Sequence, residues 1–443
     1  MATRVGMVSL GCPKNQVDAE HMLYDLKKQG FEIIADAGLA DVVVVNTCGF
    51  IESAKQEAIE TILEFCTLKK EGRIKAVIAT GCLAERYKDE VLKEIPELDA
   101  VLGIGSNEKL GDVIRDILTD VKSICDFDEK YKLSLNGGRI ITTQPFYAYL
   151  KIAEGCDNCC TYCAIPSIRG RFRSRKIEDI IDEAKWLAEH GVTEIVVIAQ
   201  DTTRYGEDLY GKPMLAKLLR ELCRIDGLKW IRTLYAYPER IDDELIETIR
   251  DEKKLVKYLD IPLQHCNAQV LKRMNRHGDR ETLLKLIEKI RSTIPDVVIR
   301  TTLIAGFPGE TKEQFEELTD FVKEVKFERL GCFAYSVEEG TPAAKLDGQL
   351  DEEEKQHRAD IIMQEQMFIS DKLNEAMLGK DIEVVVEGFD RYAECYFGRS
   401  AMDAPEIDGK IFFTSEKRPA LGEYITVHID ETLDYDLIGT RVD

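Results

Sequence analysis

Short apolar runs recur through residues 1 to about 120, separated by stretches in which apolar positions return about every three or four residues. The runs predict buried strands over Arg4–Leu10, Asp41–Asn46, Lys75–Thr80 and Asp99–Gly103. The intervening stretches predict helices over Gln16–Gln29, Glu52–Lys70, Leu83–Ile95 and Lys109–Thr119. Such alternation points to a doubly wound α/β domain with a mostly parallel sheet. Residues 126–144 lose the pattern, are polar and contain Gly137 and Gly138, so they read as a linker. From Pro145 the alternation resumes, with strands expected over Tyr147–Ala153, Glu194–Gln200, Trp230–Tyr235, Lys257–Ile261, Val297–Ile304 and Leu330–Ser336. Six β/α units suit an open, partial (βα)6 version of the eight-unit barrel. Asp351–Met377 reads as one long helix on which Ile361, Met363, Met367, Phe368 and Leu373 are packing residues. From Lys380 the period becomes two, as in Asp381–Glu387 (DIEVVVE) and Glu423–Asp430 (EYITVHID), which predicts a small C-terminal β-barrel. The expected organisation is therefore 1–125, a linker over 126–144, 145–350, a connecting helix over 351–372, and 373–443.

Of the 443 residues, 44% are hydrophobic, enough for full cores, which excludes global disorder. No apolar run approaches the ~20 residues of a membrane helix. The N-terminus reads as a strand rather than a signal peptide, so a cytoplasmic, membrane-free protein is expected. Eighty-two acidic residues against 60 basic ones leave a net charge of −22. That balance disfavours general nucleic-acid binding and suits a basic partner. One local run runs against it: Arg169, Arg171, Arg173, Arg175 and Lys176. The run could meet RNA phosphate, a cofactor carboxylate or nearby acids, or simply be solvated. Gly103-Ile104-Gly105 is too short to mark a nucleotide site.

Cysteine changes the picture most. Thirteen cysteines, an odd number, in a long chain without a secretion pattern favour metal or redox chemistry over a disulfide framework. Cys12, Cys48 and Cys82 each lie just past the C-terminal end of an expected parallel strand, where an open α/β sheet gathers its ligands. Three thiolates can hold a 4Fe–4S cluster with one iron open. Three buried thiols, or a zinc site without a CxxC pair, are the other readings.

Cys156, Cys160 and Cys163 form CxxxCxxC after the first barrel strand. Such a loop can wrap three irons of a second 4Fe–4S cluster and leave the fourth to chelate S-adenosylmethionine, whose reductive cleavage yields a 5′-deoxyadenosyl radical. Zinc is the rival ligand, and Cys159 permits the alternative register CxxCxxxC, although it reads as a bystander. Tyr162, inside the motif, and Gly306, in the turn Ile304–Glu310 (IAGFPGE), are the candidate cofactor contacts. For Gly306 a plain strand-to-helix turn is the competing reading. Gln200, Asp201, Gln264 and His265 also sit at strand ends.

With both cysteine sets in hand, the chain resembles the methylthiotransferase subfamily of radical S-adenosylmethionine enzymes over essentially its whole length. The resemblance rests on Ser9–Glu20 (SLGCPKNQVDAE), Asn46–Lys55 (NTCGFIESAK), Tyr258–Asp279 (YLDIPLQHCNAQVLKRMNRHGD) and Asp403–Gly409 (DAPEIDG). It implies an N-terminal methylthiotransferase domain, a radical barrel and a C-terminal TRAM domain. It is most similar to the branch that methylthiolates an aspartate β-carbon of small-subunit ribosomal protein twelve. A sister branch that modifies tRNA adenosine shares both cysteine sets and differs after the first two cysteines, here Pro13-Lys14-Asn15 and Gly49-Phe50. By this resemblance Cys12, Cys48 and Cys82 hold an auxiliary cluster that carries the sulfur. Cys156, Cys160 and Cys163 hold the radical-generating cluster, and a flavodoxin or ferredoxin is a plausible electron donor. Leu373–Asp443 carries sixteen acidic and seven basic residues, which suits a basic ribosomal protein and weighs against direct nucleic-acid contact outside the ribosome. A non-catalytic iron–sulfur carrier is the third reading, and it leaves the barrel and the last domain unexplained.

Overall fold

The structure is a computed structural model and describes residues 2–121 and 123–443. It divides into two compact units: Met1–Thr142 with Lys151–Arg175 and Glu338–Thr341, and Thr143–Leu150 with Lys176–Val337 and Pro342–Asp443.

The first unit is built on β1 (Arg4–Ser9), β2 (Glu32–Ile34), β3 (Val42–Thr47), β4 (Ala76–Gly81), β5 (Ala100–Leu102) and β6 (Ile124–Asp126). They form one parallel sheet in the order β2-β1-β3-β4-β5-β6. On one face Val43, Val45, Val77 and Ala79 pack with Ala58 and Ile62. On the other, Val42, Val44, Ala76 and Ile78 pack with Met22, Leu26 and Ile114. Burial on both faces is why β3 and β4 read as continuous apolar runs.

Several expectations are corrected here. The edge strands β2 and β6 have three residues each and no apolar run to announce them. The helix expected over Leu83–Ile95 is two helices, Cys82–Tyr87 and Asp89–Glu94, broken where Lys88 takes φ 50°. The first helix starts at Pro13, which is suited to a first helical position, and runs to Lys28. The stretch 126–144 is anchored: buried Arg139 pairs with buried Glu20 through its Nε at 2.9 Å.

After β7 (Tyr147–Lys151) comes a two-stranded antiparallel ribbon of β8 (Ala153–Glu154) and β9 (Arg173–Ser174). The large sheet of the second unit continues with β10 (Glu194–Ile198), β11 (Trp230–Thr233), β12 (Leu255–Asp260), β13 (Val298–Ala305) and β14 (Arg329–Ala334). Its order is β14-β13-β12-β11-β10-β7, with parallel pairing from β10 to β14. The C-terminal strands β15 (Asp381–Asp390), β16 (Cys395–Ser400), β17 (Ile411–Thr414), β18 (Tyr424–Thr432) and β19 (Leu437–Arg441) close into a barrel around Val384, Val386, Ile411, Phe413, Ile425 and Val427.

The long helix spans Glu352–Glu375, and its buried face differs from expectation. Ala359 and Ile362 are buried together with Lys355, Arg358, Gln366, Ser370 and Asn374, while Phe368 is 53% exposed. The buried polar groups are used: Gln366 donates to the Phe327 carbonyl at 2.9 Å, and Arg358 pairs with Glu310 at 2.8 Å.

Within the second unit the small barrel meets the large sheet through buried charge. Arg399 of β16 pairs with Glu194 of β10 and with Glu387 (2.7 Å). Arg232 reaches Glu194 at 3.1 Å and the Ala401 carbonyl at 3.0 Å. Tyr258 donates to Asp408 at 2.6 Å, and Arg329 Nε to Asp403 at 3.2 Å. No helix among the described residues is long and apolar enough to cross a membrane.

Candidate functional site

Both cysteine sets lie in the first unit. Cys12 precedes the helix Pro13–Lys28, Cys48 follows β3, and Cys82 opens the helix after β4, so three parallel strand ends deliver them. Cys48 and Cys82 are 8% and 5% exposed, and Cys12 is half-buried. Their backbones crowd together: at Gly11, with φ 86°, an added Cβ would lie 2.7 Å from the Cys48 sulfur. Glycine adopts this φ without strain, and the absent side chain permits that approach.

All three thiols feel the charge of Arg169. Burial opposes ionisation of Cys12, but the charges of Lys14 and Arg169 and two backbone amides outweigh it and lower its pKa. Burial pushes Cys82 up to about 12 against the pull of Arg169, with Cys12 and Cys48 adding to the rise. Burial likewise raises Cys48. A thiol held up in this way gives up its proton to a metal cation, not to water.

The loop after β8 carries Cys156, Cys160 and Cys163, all half-buried, and Cys159, which is exposed with φ 52°. The Cys156 amide donates to the Gly170 carbonyl at 3.1 Å and the Cys163 amide to the Cys160 carbonyl at 3.0 Å. The Ile165 amide points at the Cys163 sulfur at 3.4 Å. Burial raises the Cys163 thiol.

The first set touches Arg169, on the short helix Ile165–Arg169 that ends the loop of the second set. Its guanidinium is fully buried and reaches the Cys82 sulfur at 3.4 Å, Asn15 at 3.2 Å, Asp18 at 2.7 Å and Glu154 at 3.0 Å. Its Nε has no hydrogen-bond partner among the described residues. Lys151 completes the cluster, bonding Glu154 at 3.0 Å and also Asp18. Cys82 packs directly on Ala164 and Ile168, the first of which is the neighbour of Cys163.

The donor sets fit iron–sulfur clusters. Six cysteine side chains stand in two groups of three, and backbone amides point at the sulfurs of Cys156 and Cys163. Among the described residues, no three His, Cys, Asp or Glu side chains converge on one metal-ion position.

Of the readings left open for the basic run, the structure favours contacts to nearby acids and carbonyls. Arg169 serves the buried cluster, Arg173 donates to the Tyr131 carbonyl at 2.5 Å, and Arg175 donates to Asn136 at 2.8 Å and the Lys151 carbonyl at 2.7 Å. Within the first unit only Arg171 of the run, 91% exposed at its side chain, faces solvent. Asn15, Asp18, Lys151 and Glu154 are site residues that the pattern of the chain did not single out. A signal was present in Lys151 and Glu154, two charges in the apolar run Tyr147–Glu154 beside Gly155-Cys156.

In the second unit, Glu310 folds back on its own turn. It accepts from the Gly306 amide at 3.1 Å, pairs with Arg358, and lies 3.4 Å from His265 Nε2. His265 Nδ1 accepts from the Asn267 amide at 2.9 Å, which leaves the ring proton on Nε2. Burial works to raise Glu310, but His265 and Arg358 hold it below the ordinary range. At Gly306, φ is 75° and an added Cβ would lie 2.7 Å from Lys355 Cγ. The missing side chain is therefore accounted for by the turn and by helix packing rather than by an open cradle. Asp201 is buried against Arg240 (3.1 Å) and Thr203 (2.6 Å). Gln264 takes φ 70°, and the Gln200 amide nitrogen is buried with no hydrogen-bond partner among the described residues. Tyr162 is half-buried in the first unit.

Comparison with known proteins agrees with these parts. Residues 4–103 match the model of the Uncharacterized protein family UPF0004, residues 150–322 the Radical SAM superfamily, and residues 378–442 the TRAM domain. Among solved structures, the radical S-adenosylmethionine methyltransferase TsrM from Kitasatospora setae, with cobalamin and a [4Fe-4S] cluster bound, aligns with a TM-score of 0.57 at 13% identity. That alignment covers 77% of this chain and 74% of the other, and it shows a shared fold. The chain is thus a radical S-adenosylmethionine enzyme of the methylthiotransferase class. A protein of Thermoanaerobacter sp. (strain X514) named Ribosomal protein uS12 methylthiotransferase RimO is 51% identical over 436 residues, 98% of this chain and 99% of that one. One of the same name from Clostridioides difficile (strain 630) is 50% identical over 98% of both chains. The chain belongs to the RimO methylthiotransferase family.

Proposed function

We propose that the chain inserts a methylthio group at the β-carbon of an aspartate in ribosomal protein uS12, in the cytoplasm. The observation that carries this reading is the contact between the first cysteine set and the short helix that ends the loop of the second. Cys156, Cys160 and Cys163 would hold the radical-generating 4Fe–4S cluster, with Tyr162 as a contact of S-adenosylmethionine. Cys12, Cys48 and Cys82 would hold the auxiliary cluster. When bound, these groups supply the radical that removes the β-hydrogen and the sulfur that replaces it.

The chain's own residues do the rest. Burial at Cys48 and Cys82 excludes water from the sulfur-carrying side. Arg169 holds a fixed positive charge against the Cys82 sulfur, and Asp18 and Glu154 keep that guanidinium from turning away. The unpartnered amide of Gln200 is a donor available to a polar ligand at a strand end. The acidic C-terminal barrel would attract a basic ribosomal protein and repel phosphate. With Arg169, Arg173 and Arg175 committed internally, the basic run gives no support to the tRNA alternative.

The test is a substrate choice. Anaerobically reconstituted protein is given S-adenosylmethionine, a strong reductant and either uS12 or tRNA, and both are read by mass spectrometry. A methylthio mass increment on an aspartate peptide of uS12 is expected. An increment on a tRNA nucleoside instead would overturn the substrate and keep the clusters.

A further inference from the structure

Asn15 is 1% exposed and sits in the first turn of the helix Pro13–Lys28, just past Cys12. Three main-chain carbonyls converge on its amide nitrogen: Leu10 at 2.8 Å, Asn46 at 3.2 Å and Thr47 at 3.3 Å. Leu10 belongs to the loop that carries Cys12, and Thr47 immediately precedes Cys48. A primary amide nitrogen offers two hydrogens and accepts none, so one side chain satisfies carbonyls from both loops at once.

The other end of the same side chain faces the third cysteine. Asn15 Oδ1 accepts from Arg169 Nη2 at 3.2 Å, and that nitrogen also reaches the Cys82 sulfur at 3.4 Å. The Asn15 backbone amide donates to the Cys12 carbonyl at 2.9 Å and helps to stabilise the ionised Cys12 thiol. Asn46, fully buried, returns the contact: its amide nitrogen donates to the Asn15 carbonyl at 2.8 Å and to the Ser9 hydroxyl at 3.1 Å. Its Oδ1 lies against Gly81, the neighbour of Cys82, where an added Cβ would stand 2.5 Å away. Asn15 is thus bonded to the loops of Cys12 and Cys48 directly and to Cys82 through one guanidinium nitrogen.

We propose that Asn15 is the positioning residue of the first cysteine set, holding the sulfurs of Cys12, Cys48 and Cys82 at the spacing of one cluster face, resting on the cluster assignment proposed above. It is not itself a ligand. Thiolates delivered by three separate strand ends depend on bonds outside the ligand shell for their spacing. Loss of such an outer partner typically lowers metal affinity about 10–100-fold. Two substitutions isolate the donor. Asn15→Asp keeps the shape and the Arg169 partner but turns an oxygen toward three carbonyls. Asn15→Ser keeps one donor on a shorter side chain.

The test separates positioning from general stability by reading one cysteine set at a time. Each substitution is made in two full-length backgrounds, one with Cys156, Cys160 and Cys163 replaced by Ala and one with Cys12, Cys48 and Cys82 replaced by Ala. After anaerobic reconstitution with iron and sulfide, iron release to a chelator and the electron paramagnetic resonance spectrum of the reduced protein are measured. Where only the first set remains, Asn15→Asp should release iron about tenfold faster or more, Asn15→Ser less so, and the spectrum should shift in both. Where only the second set remains, release and spectrum should stay at the parent's level. First-set release and spectrum unchanged in both variants would overturn the proposal. So would equal losses in the two backgrounds, which would make Asn15 a residue of the fold at large. A first-set parent that binds no iron would overturn the cluster assignment itself, and the proposal with it.

Discussion

Arg169 Nη2 lies 3.4 Å from the sulfur of Cys82, and this contact ties the first cysteine set to the short helix that ends the loop of the second. The guanidinium is buried, always charged, and neutralised by Asp18 and Glu154. Its position is over-determined: four polar partners, Asp18, Glu154, Asn15 and Cys82, fix a fork that a lysine ammonium could not reproduce.

Arg169→Ala should therefore damage folding before chemistry. It leaves Asp18 and Glu154 buried with Lys151 as their only cation, at a cost of about 3–5 kcal/mol. Arg169→Lys keeps the charge and loses the fork, so it should recover part of that stability. Denaturant unfolding of the three proteins checks the order. An Ala variant as stable as the unaltered chain would remove Arg169 from this role.

The cysteine sets should separate by substitution. Replacing Cys156, Cys160 and Cys163 with Ala should halve the iron from about eight to about four atoms per chain and abolish 5′-deoxyadenosine formation. Replacing Cys12, Cys48 and Cys82 should halve the iron as well, stop methylthio insertion and leave measurable cofactor cleavage. Cys159→Ser, at an exposed position, should leave iron and cleavage unchanged. Loss of half the iron in Cys159→Ser would shift the register to Cys156, Cys159 and Cys163.

How far this was legible in the chain depends on what each residue touches. Val42–Val45 and Ala76–Ala79 announce buried strands because both faces are covered. Six cysteines announce themselves by spacing and by their place at strand ends. The break at Lys88 does not, since no Gly or Pro marks it and only its positive φ reveals it. Arg169, Arg171, Arg173 and Arg175 look alike as a run of alternate cations. Only the fold turns three of them toward carboxylates and carbonyls and leaves Arg171 in solvent. The helix Glu352–Glu375 misleads for a related reason: it buries polar groups that find partners, so Phe368 is left outside.

The seam between the small barrel and the large sheet predicts a further weakness. Glu194, Arg232 and Arg399 are buried together, and Glu194 is the carboxylate that both guanidiniums share. Glu194→Gln would leave two buried cations, of which Arg399 keeps Glu387, and should destabilise the chain by about 3–5 kcal/mol. Limited proteolysis should then release residues beyond the helix Glu352–Glu375 sooner than in the unaltered protein. Unchanged stability and an unchanged digestion pattern would show that the seam is held by apolar contacts such as Trp230 against Tyr424.

Acid should loosen the cluster around Arg169 in a defined direction. Burial alone would raise Glu154, but Arg169 and Lys151 outweigh it and hold its carboxyl below the ordinary range. In the unfolded chain the same group titrates near about 4.3. A folded pKa below the unfolded one means that the stabilisation is fully present above the unfolded value. It is lost as pH falls through that value toward the folded one, because the unfolded chain then takes up the proton first. The stability gap between the unaltered chain and Glu154→Gln, measured on the cluster-free protein to avoid acid loss of iron, should be constant from about pH 8 to about pH 5.5 and narrow below about pH 4.5. A gap that widens on acidification would mean that Glu154 is held protonated, and that Arg169 is balanced by Asp18 alone.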